Sequence, residues 1–209
     1  MKFFNFIKRR EKDNFSQSGQ DQFAFNLSGY DGHYLEIGAH HPIINSNTYK
    51  LETHCNWKGL SIENDISFKK SWDRCQERKN KVIWNDAFSI DYSEIIKINN
   101  FSNKFNYLSC DIEPPENTFK ILEKIISSKL SFDFISFEHD KYNVGDKYEK
   151  LSVDFLRDNN YNIAVRDVYS RNKVNKIYET WFVNDKINFE EITYSLWKSR
   201  FYKNNSFNI

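Results

Sequence analysis

The feature that most constrains the fold is a short apolar run, Tyr34-Leu-Glu-Ile-Gly38, which ends in an acidic residue and a glycine and continues into a polar loop. In a parallel sheet, a first strand followed by such a turn brings a nucleotide-like cofactor to the carboxyl edge. Gly38 has no Cβ and permits both the turn and a close approach of the cofactor. Ser46, Asn47 and Thr48 can each cap a helix that begins there. A βα turn without a ligand explains these residues equally well, because one glycine is a weak fingerprint.

Length and charge limit the classes of protein that this chain can belong to. Its 209 residues suit a single domain, with residues 1–15 as an N-terminal appendage and residues 186–209 as a C-terminal tail. The 30 basic and 29 acidic residues give a net charge of +1, which argues against a nucleic-acid partner because phosphate binding normally needs a basic excess. No apolar run approaches the roughly 18 residues that would span a membrane. Three cysteines without a C-x-x-C pair favour reduced thiols and a cytoplasmic location.

The pattern of strand followed by helix repeats after the first loop. Residues 47–56 predict a helix, 59–63 a second strand, 65–78 a polar helix and 81–84 a third strand. Glu63 ends the second strand, where a parallel sheet uses a carboxylate to accept hydrogen bonds from both ribose hydroxyls. Asp86, followed by the small Ala87, suits an adenine pocket in which Phe88 covers the ring. Capping of the next turn is an equally good account of Asp86.

Acidic residues follow the next two predicted strands, residues 105–111 and 132–137. If these strands are parallel, their ends bring the acids to the same rim of the sheet. The residues concerned are Asp111, Glu113, Glu138, His139 and Asp140. Such a cluster has more acid than a surface needs, and a capping or salt-bridging role is the alternative for each of these acids.

The last two long strands are predicted at residues 161–168 and 176–183. The seven-residue link between them, residues 169–175, is too short for a crossover helix, so these strands must be antiparallel. A parallel sheet that ends in an antiparallel hairpin is more typical of methyltransferases than of dehydrogenases, by analogy of fold. The tail carries Trp197, Phe201 and Tyr202, which cover the sheet or contact a second copy in a homodimer.

An ordered series of segments resembles the FkbM-type S-adenosylmethionine-dependent methyltransferases. The segments are Ser16-Gln-Ser-Gly-Gln-Asp21, Tyr34-Leu-Glu-Ile-Gly-Ala-His-His-Pro42, Ser46-Asn-Thr-Tyr49, Trp57-Lys-Gly-Leu-Ser-Ile-Glu63, Tyr107-Leu-Ser-Cys-Asp-Ile-Glu113 and Ile135-Ser-Phe-Glu-His139. The resemblance extends over about residues 16–185. The ordered series is much more specific than any one segment.

The resemblance implies an α/β, Rossmann-like class I methyltransferase with a mostly parallel seven-stranded sheet, an antiparallel last strand and helices on both faces. It also implies that S-adenosylmethionine is held by Glu36, Gly38, Glu63 and the Asp86-Ala87 pair, and approached by Gln20 and Asn47. Members of the family methylate oxygen, typically a hydroxyl of a sugar, glycan or natural product.

The chain departs from the family pattern at two places. Glu113-Pro-Pro-Glu116 replaces a common Glu-Gly-x-Glu, which predicts a stiffer loop on the acceptor side, and His40-His-Pro42 replaces a glycine-ended loop.

Methyl transfer to a weakly acidic hydroxyl requires alignment of the oxygen and removal of its proton. We expect Asp111 to position the hydroxyl or accept the proton, His139 to be the general base, and Glu113 to belong to the catalytic group. Alternatively, a divalent cation, magnesium or manganese, held by Asp111, Glu138 and Asp140 lowers the pKa of the hydroxyl.

Two further classes remain open. A nicotinamide-dependent oxidoreductase would also use Gly38 and Glu63, but the chain lacks the G-x-G-x-x-G pattern that admits a pyrophosphate. A catalytically silent subunit with a methyltransferase-like fold would keep the same residues and lack activity.

Overall fold

A computed structural model describes residues 15–170 and 176–205. Within these residues, eight strands form one sheet in the order β3-β2-β1-β4-β5-β7-β6-β8. In chain order the elements are α1 (Gln20–Ser28), β1 (His33–Ile37), α2 (Tyr49–Cys55), β2 (Lys58–Glu63), α3 (Lys69–Arg74), β3 (Lys81–Trp84), α4 (Tyr92–Ile98), β4 (Lys104–Cys110), α5 (Pro115–Ser127), β5 (Ser131–Glu138), α6 (Lys141–Val144), α7 (Lys147–Asp158), β6 (Tyr161–Tyr169), β7 (Ile177–Asn184), β8 (Ile192–Thr193) and α8 (Tyr194–Asn205). By its contacts the chain divides into two compact units, Met1–Ser109 and Cys110–Ile209.

In the first unit, β1, β2 and β3 are parallel neighbours. Strand β1 is buried on both faces, since Tyr34, Leu35, Glu36 and Ile37 are all buried, and its burial pattern is therefore continuous rather than alternating. On the neighbouring strand β2, glycine is required at position 59, because a Cβ there would lie 2.5 Å from both the ring and the backbone oxygen of Tyr34. The first strand and the turn after it are therefore placed as the sequence predicts.

The second unit contains the antiparallel strands. Strand β7 pairs antiparallel with both β5 and β6, which confirms the orientation predicted from the short link. Residues 171–175 of that link lie outside the described residues. The prediction of seven strands missed β8, a two-residue strand parallel to β6, because so short an element has no periodicity to detect.

Two helices differ from the predictions. The helix predicted at residues 65–78 is a 3-10 turn, Ile66–Phe68, followed by the shorter α3. The sequence also predicts a helix over residues 148–158 with Leu151, Phe155 and Leu156 on one apolar face. In α7, Leu156 is buried, but Leu151 is 39% exposed. The predicted apolar face of α7 is therefore narrower than the sequence pattern indicated.

The C-terminal tail packs on the second unit through aromatic rings. Trp197 is buried, stacks on Tyr194 and meets Trp181 of β7 edge-on. The N-terminal appendage predicted at residues 1–15 lies outside the described residues, except for Phe15, which contacts Tyr49. Among the helices described, none combines the length and apolar character needed to cross a membrane.

Candidate functional site

The loop after β1 turns sharply at Gly38, which has a φ of 78° and therefore favours glycine. The backbone N–H groups of Gly38 and Ala39 both donate to the carbonyl oxygen of Ile62, at 3.0 and 3.2 Å. His40 follows with a φ of 48°. The chain is thereby folded back over the end of β2, where Glu63 lies.

Glu63 is buried, and two backbone amides hold its carboxylate. His40 N–H donates to one oxygen at 2.6 Å, and Asp65 N–H donates to the other at 2.7 Å. A carboxylate has about four acceptor positions, so each oxygen of Glu63 retains one. The group is fixed in orientation and can still accept two hydrogen bonds from a diol.

The loop after β3 adjoins that of β2, since Asn85 N–H donates to the carbonyl oxygen of Glu63 at 3.0 Å. The exposed Asp86 caps a 3-10 turn by accepting a hydrogen bond from Phe88 N–H at 2.8 Å. A capping role was the alternative that the sequence left open for Asp86. Ala87 is buried, and its carbonyl oxygen accepts from the Tyr92 hydroxyl. Two apolar side chains are exposed on these loops, Ile66 by 73% and Phe88 by 37%. Their exposure leaves apolar surface on the loops after β2 and β3.

Asn47 presents a buried acceptor. Its Nδ2 donates to Ser109 Oγ at 3.0 Å, whereas its Oδ1 is buried and has no hydrogen-bond partner among the described residues. A buried acceptor without a partner is costly and is commonly satisfied by a bound molecule. A ligand with an N–H or ammonium donor would satisfy Asn47 Oδ1.

Glu36 and Gln20 are both buried and engaged within the protein. Glu36 accepts from Ser61 Oγ at 2.7 Å and lies 3.6 Å from the Arg78 guanidinium. Burial raises the pKa of Glu36, against the opposing effect of Arg78. Gln20 Oε1 accepts from Ser18 N–H at 2.9 Å. Both of these partners of Glu36 contact its Oε2, and its role as a cofactor ligand stays a prediction.

A cluster of four carboxyl groups lies in the second unit, at the ends of β4 and β5. Oxygen atoms of Glu113, Glu138 and Asp140 all lie within 4.8 Å of one another. Glu138 is also hydrogen-bonded to Asp111. Burial, followed by the negative charge of Asp111, raises the pKa of Glu138 well above its usual range. Carboxyls this close share protons rather than ionise together.

His139 lies next to this cluster in sequence but is fully buried. Its Nδ1 accepts from Lys141 N–H at 3.2 Å, and its Nε2 is 3.1 Å from the Thr180 hydroxyl. Burial, together with the charge of Lys141, lowers the pKa of His139 to about 3. The prediction of His139 as general base is therefore not supported, because both ring nitrogens are occupied and neither reaches the surface.

Solved structures of methyltransferases resemble this chain. A human methyltransferase 10 domain containing protein matches with a TM-score of 0.54 and 12% identity, over 79% of this chain and 80% of that one. The methyltransferase domain of METTL16 matches with a TM-score of 0.52 and 12% identity, over 80% of this chain and 66% of that one. The Methanococcus jannaschii fibrillarin pre-rRNA processing protein matches with a TM-score of 0.50 and 17% identity, over 74% and 67%.

The chain has the Rossmann-like methyltransferase fold. At such low identities the likeness concerns the fold alone. No protein-family model matches the sequence, and no curated protein matches it.

Within this methyltransferase fold, the predicted residues separate into two groups. Gly38, Asn47, Glu63 and Asp86 belong to the first unit, on the loops that follow β1, β2 and β3. The acids belong to the second unit, where the trio closest together contains Glu113 in place of the predicted Asp111. Asp111 is instead a hydrogen-bond partner of Glu138.

Sequence reasoning missed Arg78, whose guanidinium makes five hydrogen bonds to described residues of the first unit. It is buried between the loop after β1 and helix α2 and contacts residues from both. It follows Glu77 and precedes Lys79 in a charged segment, so its sequence context is that of a surface residue. The residues around Arg78 show no apolar pattern. A polar segment of this kind can contain either a buried or an exposed arginine, so the sequence offers no signal for its burial.

Proposed function

We propose that the protein is an S-adenosylmethionine-dependent methyltransferase that transfers a methyl group to a hydroxyl oxygen. The observation that carries this proposal is the Glu63 carboxylate, which two backbone amides hold at the end of β2 in a methyltransferase fold. A ribose diol is the ligand that such a carboxylate suits. The ordered segments that resemble the FkbM type support an assignment to that group within the fold.

The residues of the first unit fit the remaining parts of the cofactor. The buried Asn47 Oδ1 suits the amino group of the methionine portion. The exposed Ile66 and Phe88 suit the two faces of adenine, with Asp86 as acceptor for its exocyclic amine. When bound, S-adenosylmethionine supplies an electrophilic methyl group on a sulfonium. The protein binds and orients it, and Gly38 allows the backbone to approach it closely.

The acid cluster of the second unit is our candidate for the proton acceptor. Transfer of a methyl group to a hydroxyl releases one proton, which a carboxylate can take up. Asp111 is our candidate base, because Glu138, whose pKa is raised, holds the proton that the pair already shares and leaves Asp111 to accept the one released. Glu113 and Asp140 are also hydrogen-bonded to each other. Burial, followed by the negative charge of Asp140, raises the pKa of Glu113. His139 has no part in this step.

A divalent cation is a second candidate for activating the hydroxyl. The spacing of Glu113, Glu138 and Asp140 favours it, since three carboxylate oxygens within 4.8 Å can ligate one magnesium or manganese ion. The ligand set would then contain Glu113 where the sequence predicted Asp111. A carboxylate base requires no such ion, so metal removal separates the two candidates.

A sugar or glycan is the acceptor that we propose. A cavity of about 380 Å³ in the second unit is lined by equal numbers of acidic and basic side chains, which suits a neutral ligand rich in hydroxyl groups. Its lining includes Lys141, which bridges to Glu149 at 2.8 Å, and Thr180, the partner of His139. RNA is the competing acceptor, because one structural neighbour is a pre-rRNA processing protein. The net charge of +1 favours the sugar.

Calorimetry with S-adenosylhomocysteine tests the cofactor, with NAD as the comparison. We expect saturable binding of S-adenosylhomocysteine and none of NAD; heat with NAD alone would reject the methyltransferase in favour of an oxidoreductase. Transfer of a labelled methyl group is then measured to a panel of glycans and to RNA. Label in a glycan supports the proposed acceptor, label in RNA overturns it, and binding without transfer to either identifies a catalytically silent subunit.

A further inference from the structure

The Arg78 guanidinium is fully satisfied inside the first unit. Its Nε donates to Glu52 at 2.8 Å. One terminal nitrogen donates to the Pro42 carbonyl and Ser46 Oγ, each at 3.3 Å, and the other donates to Tyr34 Oη at 2.9 Å and Thr48 Oγ1 at 2.7 Å. A guanidinium has five N–H donors in a rigid planar fork, so each one has an acceptor here.

Three of these five acceptors lie on the loop that joins β1 to α2, residues 38–48, which we call the cofactor loop. Arg78 contacts the middle of the cofactor loop at Pro42 and its end at Ser46 and Thr48, on either side of Asn47. A change in the position of the guanidinium would therefore move the residue that carries the unpartnered Oδ1.

Trp72 extends this contact to the beginning of the cofactor loop. Its ring stacks on Arg78, 4.3 Å from the guanidinium carbon, and its Nε1 donates to the His40 carbonyl oxygen at 2.8 Å. The N–H of His40 in turn holds the Glu63 carboxylate. Arg78 is thus connected to Glu63 through three contacts, one stacked and two hydrogen-bonded, and through the backbone of one residue, His40.

Charge explains why an arginine occupies this position. Two buried carboxylates face it, Glu52 at 2.8 Å and Glu36 at 3.6 Å. Buried acids without a cation are strongly unfavourable, and a lysine would neutralise them but could not reach the separate acceptors of the loop. The positive charge of Arg78 therefore stabilises the two buried carboxylates, whereas the planar shape of its guanidinium allows it to hold several parts of the cofactor loop at once.

We propose that Arg78 is a positioning residue that fixes the cofactor loop in its binding conformation and so sets the affinity for the cofactor. This inference rests on the proposed function. It goes beyond it because Arg78 acts through Asn47, His40 and Glu63 rather than by touching the cofactor. A loop that is held in its bound shape before binding loses less conformational freedom on binding, which raises affinity.

Arg78→Lys and Trp72→Phe separate positioning from stability. The lysine retains the positive charge, and the phenylalanine retains a ring for stacking but has no donor for His40. For each variant, the Kd for S-adenosylhomocysteine, kcat and the melting temperature are measured. Loss of one or more preorganising hydrogen bonds should raise the Kd by about tenfold in both variants while kcat at saturating cofactor changes by less than about twofold. Lys79→Met is the matched control, since Lys79 is the exposed neighbouring cation.

An unchanged Kd in folded Arg78→Lys and Trp72→Phe would overturn the inference, whatever happens to the melting temperature, because it would leave Arg78 with a structural role only. If Arg78→Lys does not fold, Trp72→Phe decides alone. If the unaltered protein does not bind S-adenosylhomocysteine, the proposed function fails instead.

Discussion

The backbone N–H of His40 donates a 2.6 Å hydrogen bond to the carboxylate of Glu63 and thereby joins the loop after β1 to the end of β2. The backbone N–H of Asp65, two residues after Glu63, donates to the other carboxylate oxygen. These bonds orient Glu63 before any ligand arrives. Replacing it should therefore affect binding more than folding.

Glu63→Ala should raise the Kd for S-adenosylhomocysteine by about tenfold to a hundredfold, because the ribose loses a charged acceptor. Calorimetry measures the Kd, and Glu94→Ala is the control, since Glu94 is an exposed acid of the same unit. Equal affinities of Glu63→Ala and the unaltered protein would remove Glu63 from the cofactor site.

Asp111→Asn should reduce kcat by about a hundredfold or more and leave cofactor affinity within about twofold, since asparagine keeps the shape but cannot accept the proton. A labelled-methyl assay and calorimetry give the two quantities. Asp158→Asn, at an exposed helix end, serves as control. Turnover at the level of the control would show that Asp111 is not the base.

Exhaustive dialysis against EDTA should leave activity within about twofold, because the carboxylate base that we favour needs no ion. The labelled-methyl assay is run before dialysis, after it, and after addition of magnesium or manganese. Loss of activity that either ion restores would instead establish the cation candidate. Glu113→Gln should then abolish the restoration, as Glu113 belongs to the trio of closely spaced carboxylates.

Gly59→Ala should lower the free energy of unfolding by about 1–3 kcal/mol or more, because its Cβ would overlap both the ring and the backbone of Tyr34 in β1. Chemical denaturation measures this change, with Ser93→Ala on the exposed side of α4 as the control. A variant as stable as the control would mean that β1 and β2 do not pack as closely as described.

Sequence reasoning succeeded where a local pattern was sufficient. The apolar run of β1, the glycine turn after it and the acid at the end of β2 were all placed, as was the antiparallel pairing of β6 with β7. It did not foresee the surroundings of His139, which follows a strand end as a rim residue would but is buried and contacts Lys141 and Thr180. Position along a strand does not reveal which side chain turns inward.

The sequence by itself determined the α/β pattern, the strand ends and the presence of acids there, because periodicity and turn residues act over a few neighbouring positions. Only the tertiary structure decided that Arg78 satisfies Glu36 and Glu52, and that Glu113 joins Glu138 and Asp140 in the trio whose oxygens lie within 4.8 Å of one another. These choices depend on side chains that are distant in sequence and meet only after the strands have paired. Their partners are set by burial and charge in three dimensions, which no local pattern encodes.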